Sequence, residues 1–329
     1  MNKLRVLVIA VAILAVGIGD VHGQKLRRML KRADSLLTER YRNVSFDTTY
    51  ITRPQTKWTI SARYNMSGAD IEFEGREQGR RYHSRMSADY KSTLSLGVNY
   101  LGASFNISLN PAQWAGKYKD FELNLMKYAN RWGVDFAYQD ARNFSGWYDE
   151  DGTPRLHLDE DVLRMRSLNV NFYYAFNHQR FSYPAAFMQS YIQRRSAGSF
   201  LLALSGQGQR TETEGNKDFQ SKLSVTNIGL GGGYGYNWVP GRHWLLHLSL
   251  LPTLIVYSNT SLTVNGDRVP LRYHFPEVIL TSRLAVVRQL GNAFIGLTTV
   301  FTFTNIGDRD RLSVYNTKWL SRILVGYRF

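Results

Sequence analysis

From Lys57 onward, apolar and polar residues alternate with a period of two, and the alternation holds to Phe329. Trp58, Ile60, Ala62, Tyr64 and Met66 share one parity, and Thr59, Ser61, Arg63 and Asn65 share the other. Successive strand side chains point to opposite faces, so this run predicts a strand with one apolar and one polar face. The pattern recurs over 82–100, 103–109, 121–125, 132–138, 168–176 and 200–204, and again over 228–238, 244–257, 278–286, 295–303 and 319–329. That makes about twelve strands, many near the roughly 9–11 residues that a membrane-crossing strand needs.

The connections carry a second pattern. Tight turns rich in Gly, Asn and Pro lie at 100–102, 129–130, 239–242 and 290–292. The alternate connections, 110–117, 144–163, 209–222, 258–274 and 306–317, are longer and more polar. Short turns at one end and long loops at the other are the plan of an outer-membrane barrel. The connection 178–194, HQRFSYPAAFMQSYIQR, departs from it, with a helical turn expected between Pro184 and Ile192. A soluble sandwich or lipocalin-like barrel would alternate in the same way. Strand length and aromatic residues near strand ends (Trp58, Tyr100, Trp132, Tyr138, Trp238, Trp244, Trp319, Phe329) favour the membrane.

Before the strands the period differs. Leu26, Met29, Leu30, Ala33, Leu36 and Leu37 recur at spacings of three and four, which predicts a helix over 25–43. Residues 43–54 read as an extended linker ending at proline. Residues 1–23 combine Lys3 and Arg5, a short apolar run and the small-residue exit Val21-His22-Gly23, the pattern of a secretory signal peptide. The expected organisation is therefore a signal peptide (1–23), a periplasmic helix and linker (24–54) and an all-β, antiparallel transmembrane β-barrel (55–329). Its expected place is the outer membrane of a Gram-negative bacterium. The stripe Leu26, Leu30 and Leu37 is expected to pack on Phe181, Tyr183, Phe187, Met188 and Tyr191 and cover the periplasmic opening.

Composition narrows the chemistry. The chain of 329 residues has no cysteine, which removes disulfides, thiolate catalysis and cysteine metal sites. A mean hydropathy of −0.32 argues against a helical membrane protein but not against a barrel with a polar interior. Lys and Arg number 41 against 26 Asp and Glu, a net charge of +15. Arg63, Arg81, Arg85, Lys91, Arg131, Arg283, Arg322 and Arg328 fall on the polar parity and are expected to line the lumen, outnumbering Asp89, Glu122, Asp135 and Glu277. Basic rings in a pore favour anions. The expected function is a passive channel or small-solute uptake barrel with a basic lumen, and a small anionic solute is the expected cargo. No nucleic-acid partner, cofactor or metal is expected.

The alternatives are an outer-membrane lipid hydrolase and a structural or surface-interaction barrel whose loops bind a partner. His247 and Ser249 point the same way on a strand, as a base and a nucleophile would. Outer-membrane phospholipases resemble this in their His-x-Ser step, but they continue with Asn-Gly where Leu250 and Leu251 stand here. His247 also falls low on its strand, near the 239–242 turn. The acidic runs 149–151 and 159–161 read as a solvated loop, with oxygen ligation of a cation as the alternative. Gly229, Gly231, Gly233 and Gly235 share the lumen parity, predicting either strong curvature or a groove where a plug or solute nears the backbone. Tyr327 and Phe329 are outward aromatic residues on the final strand and are expected to present an assembly signal. The barrel assembly machinery and outer-membrane lipid are therefore expected partners.

At DTTYITRP, YKDFELN, YQDARNFSGWY and GGGYGYNWVP the sequence resembles an uncharacterised family of Bacteroidota outer-membrane proteins, a domain of unknown function. The resemblance runs from about Arg40 to Phe329 and implies an outer-membrane barrel, with no activity or site residue attached.

Overall fold

The computed structural model describes residues 45–329 except 78, 89, 102, 110–120, 143, 152–155, 159–162, 214–219, 270–275 and 309–311, together with 32, 34–36, 38, 39 and 41. The signal-peptide region and the leucines Leu26, Leu30 and Leu37 lie outside the described residues. Those described between 32 and 41 are helical.

Alternation becomes a wall of antiparallel strands. They are β2 (Trp58–Glu77), β3 (Arg80–Ala88), β4 (Lys91–Tyr100), β5 (Ala103–Leu109), β6 (Phe121–Tyr128), β7 (Trp132–Ala141) and β10 (Leu163–Ala175). The wall continues with β12 (Ala197–Thr213), β13 (Ser221–Gly241), β14 (Trp244–Val264), β16 (Val278–Leu290), β17 (Ala293–Asp308) and β18 (Leu312–Arg328). Short strands β8 (Phe144–Glu150), β9 (Leu156–Leu158) and β15 (Asp267–Val269) lie at the loop end, while β1 (Ile51–Thr52) and β11 (Ile192–Gln193) pair apart from the main sheet. Among the described residues the main sheet has 16 strands; β3, β8, β9 and β15 stand above the wall, and the twelve others form it.

The wall runs β6, β7, β10, β12, β13, β14, β16, β17, β18, β2, β4, β5, so the last strand pairs with the first strand of the wall. The main-chain N–H and C=O of Phe329 bond Trp58, at 3.0 and 3.1 Å. Contacts across the interior show that the sheet curls round. Arg283 on β16 meets Asp135 on β7 at 2.7 Å, and Lys318 on β18 meets Ser167 on β10 at 3.0 Å. Asn316 on β18 meets Gln209 on β12 at 2.9 Å. These strands are separated by several others in the sheet, so only a barrel brings them together.

The two faces of the wall differ as their sequence parities require. Ile228, Leu230, Tyr234, Tyr236 and Trp238 of β13 are exposed, as are Leu248, Leu250, Leu254 and Val256 of β14 and Ile323, Val325, Tyr327 and Phe329 at the end of the chain. Exposed apolar side chains on strand after strand form a belt far larger than a soluble monomer carries, and its height matches a membrane strand of roughly 9–11 residues. Aromatic residues flank it. Trp238, Trp244 and Phe329 are exposed at the turn end, Phe121, Tyr90 and Tyr257 towards the loop end.

Two expectations change. The segments 209–222, 258–274 and 306–317, expected as loops, are largely strand: β12 runs to Thr213, β14 to Val264 and β17 to Asp308. Their Ser, Thr and Val content suits strands, and their outward polar residues simply stand above the belt. The 82–100 run is also two strands. Asp70 pairs with Ser87 but Ser67 pairs with Lys91, so one extra residue enters between β3 and β4. A one-residue bulge exchanges the inward and outward faces.

Candidate functional site

The connection between β10 and β12 folds back into the turn end of the barrel. Its Ser182 caps a short helix, α1 (Tyr183–Phe187), by accepting the Ala185 amide at 3.2 Å, and Pro184 sits in the first turn, where its missing N–H is harmless. The helix stops at Gln189, whose φ of 57° is the left-handed turn-off common after a helix. Every residue of α1 is buried. Phe181, Tyr183 and Phe187 point inward and surround His247, with ring centroids at 5.9, 5.1 and 5.1 Å. We call residues 177–194 the plug.

The plug is tied to the wall by polar bonds rather than by a sheet edge. Ser182 Oγ donates to Asn130 Oδ1 at 2.6 Å, and Asn237 Nδ2 donates to the Ser182 carbonyl and to Gln193 Oε1 at 3.0 and 2.9 Å. On the far side Gln289 donates to Gln189 Oε1 at 3.0 Å and Arg328 to the Gln189 carbonyl at 3.3 Å. A strap beneath completes the closure: β1 pairs with β11, and the Asp47 amide donates to the Gln179 carbonyl. The hydroxyl and amide of Thr49 donate to Asp47 and hold its carboxyl below the usual carboxylate range. Arg53 spans Tyr41, Phe46 and Tyr191 at 4.8 to 5.6 Å. The crevice beside Phe187 and Gln189 measures about 20 Å³, room for about one water.

At the loop end the inward parity turns apolar. Ile71 and Met86 of the β2–β3 pair, Met165 of β10, and Ile255 and Ile279 of the β14–β16 pair form one core with the fully buried Phe144. Between this collar and the plug lies a chamber of about 170 Å³. Leu223, Val225, Ile306 and Val314 of the collar line its upper part, and Asp135, Asn171, Tyr173 and Arg283 line its lower part. Arg283 is 1% exposed, bonds Asp135 and the Tyr173 hydroxyl, and lies 4.1 Å above the Tyr173 ring. Its Nε and Nη1 are buried without a hydrogen-bond partner among the described residues.

The family model described as Domain of unknown function (DUF4421) matches residues 45–329. The chain belongs to the DUF4421 family. Strap, plug and wall thus all fall within the family unit. The solved outer membrane protease OmpT from Escherichia coli is similar over 88% of this chain and 100% of that one, at 10% identity and a TM-score of 0.44. The outer membrane protein OprG from Pseudomonas aeruginosa is similar over 83% and 97%, at 12% identity and a TM-score of 0.28. The toluene transporter TodX from P. putida is similar over 84% and 91%, at 7% identity and a TM-score of 0.28. No curated protein matches the sequence. This DUF4421 chain, with its curled antiparallel wall and lipid-sized apolar belt, is a barrel of the outer-membrane type.

The expected lumen residues of the DUF4421 barrel separate into groups. Arg63, Lys91, Arg283, Arg322 and Arg328 point inward. Arg63 sits beside the plug, Lys91 and Arg283 line the chamber, Arg322 reaches Met126 Sδ at 3.0 Å, and Arg328 braces the plug. Arg81 and Arg85 do not line the lumen. The bulge after Ala88 turns them outward, opposite Arg76 and Glu72. Arg131 sits in the turn before β7 and stacks on Tyr174 at 5.5 Å, on the outer face.

His247 donates or accepts through both ring nitrogens, at 2.7 Å to Asn237 Oδ1 and 3.1 Å to Ser249 Oγ. This is the order of a nucleophile, a base and an orienting group. Ser249 is 1% exposed, however, and Asn237 spends its amide on the plug, so the chain serves as the latch of the closure. Asp151 accepts the Arg81 amide and Glu150 pairs with Arg80 at 2.7 Å, which occupies the first acidic run with the β3 edge; the run 159–161 lies outside the described residues. The sequence reading missed one cluster: Glu72, Glu74 and His83 converge within 4.8 Å on the outer face of the β2–β3 hairpin. Its signal was the Glu-x-Glu spacing, whose partner strand becomes known only with the register.

Proposed function

We propose that this protein is a gated uptake barrel of the outer membrane, which admits small solutes, anions foremost, from the loop end through the chamber to the periplasm at the turn end. The observation that carries the reading is the plug. A connection that a simple barrel would make as a tight turn instead fills the turn end and is held by a few side-chain bonds from Asn130, Asn237 and Gln289. Bonds of this kind contribute roughly 0.5–1.5 kcal/mol each, and the buried rings of Phe181, Tyr183 and Phe187 add to them. The ladders of the wall do not run through the plug, so it can open as a unit of its own. Inward Arg63, Lys91, Lys318, Arg322 and Arg328 give any opened path a positive wall.

Planar-bilayer recording tests this. The natural chain is expected to be silent or to open rarely, and the double variant Asn237→Ala with Gln193→Ala to conduct with anion preference. An inserted variant that stays silent, or one that prefers cations, overturns the reading.

A further inference from the structure

The chamber has two ends of different chemistry. Collar side chains Leu223, Val225, Ile306 and Val314 make its upper wall apolar. Among the described residues its charged lining is Lys91, Arg283 and Lys318 together with Asp135. A buried guanidinium that leaves Nε and Nη1 unbonded gives up solvation it regains only from an acceptor. Asp135 and Tyr173 occupy Nη2, while Nε and Nη1, on opposite sides of the guanidinium, each have an acceptor still to gain. Charge-assisted bonds of this type favour oxyanions.

We infer that the chamber is a binding site for a small acidic amphiphile, whose carboxylate or phosphate lies on Arg283 between Lys91 and Lys318 and whose apolar part lies under the collar. The inference rests on the uptake reading, which supplies the route by which the amphiphile arrives. A purely polar anion would leave the apolar upper wall unused, and an apolar molecule would leave Nε and Nη1 of Arg283 without acceptors. The site takes both parts in one molecule. Lys318, bonded to Ser167 at 3.0 Å across the interior, fixes the height of the head group on the wall facing β10.

The test is native mass spectrometry of the full chain in a non-ionic detergent, with octanoate, octyl phosphate, octanol, octyltrimethylammonium and inorganic phosphate as probes. One molecule of octanoate or octyl phosphate is expected to bind. Octanol and the ammonium probe should bind at least roughly tenfold more weakly, since the one lacks and the other reverses the charge that Arg283 and Lys318 would bond. Inorganic phosphate should also bind more weakly than octyl phosphate. The better of the two acids tells a carboxylate ligand from a phosphate one.

Arg283→Gln should abolish binding, and Lys318→Gln should weaken it roughly tenfold, as loss of one charge-assisted partner implies. Lys318→Gln leaves the Arg283–Asp135 pair intact, so it reports on the site even where Arg283→Gln fails to fold, folding being read from the unboiled gel band. Equal binding of the acid, alcohol and ammonium probes, or binding unchanged in Lys318→Gln, overturns the site. Binding without conductance in the plug-release variant sinks the uptake reading and leaves the site standing. Conductance without binding does the reverse.

Discussion

Arg283 shows what a single residue does in this interior. It is an ion buried to 1% exposure whose partner, Asp135, lies on the opposite wall. Removing one partner of a buried pair strands the other charge, at a cost of about 3–5 kcal/mol. Asp135→Ala is therefore expected to lower the urea midpoint of unfolding clearly, while the double variant Asp135→Ala with Arg283→Met should recover much of the loss. The glycines make a second residue-scale case. A Cβ on Gly233 would collide with the Leu250 carbonyl oxygen, whereas one on Gly232 meets nothing closer than 3.7 Å. Gly233→Ala should impair folding and Gly232→Ala should not, as band-shift assays of both would show. Both sequence readings of the glycine row hold in part. Gly231 and Gly233 admit the backbone of β14, and a Cβ added to Gly235 would lie 3.1 Å from the Phe181 ring of the plug.

At the scale of elements, what alternates locally was legible and what depends on pairing was not. The turns at 100–102, 129–130, 239–242 and 290–292 all join neighbouring strands of the wall. The bulge between Ala88 and Lys91 was hidden because a run of alternating residues looks the same on either side of an inserted one. That single residue misplaced Arg81 and Arg85. The plug was visible as an anomaly in length and in its helical turn, but its destination was not. Phe181, Tyr183 and Phe187 read as a surface for the N-terminal helix, whereas they enter the barrel, where the glycine face of β13 leaves them room. Phe187→Ala removes a packed ring worth about 3–5 kcal/mol in a core. It is expected to raise amide hydrogen exchange across 177–194 while the strands of the wall stay protected. Exchange that rises equally in plug and wall would mean that the two unfold together.

For the whole molecule, the design is a wall that faces lipid, an interior filled at both ends and a chamber between. Alternation alone predicted the wall. It left the state of the lumen open, because a barrel of intermediate size is neither surely filled nor surely hollow. The filling comes from side chains of distant strands and from one folded connection, a long-range outcome that no local period encodes. In a gated uptake barrel the plug must move for solute to pass. The chain has no cysteine, so Asn130→Cys with Ser182→Cys, whose native side chains meet at 2.6 Å, introduces one clean disulfide between wall and plug. The measurement is planar-bilayer conductance of this variant carrying also Asn237→Ala and Gln193→Ala, first oxidised and then reduced in the same membrane. A plug that must move predicts silence while the disulfide is intact and anion-preferring conductance once it is reduced. Equal conductance in both states would contradict it.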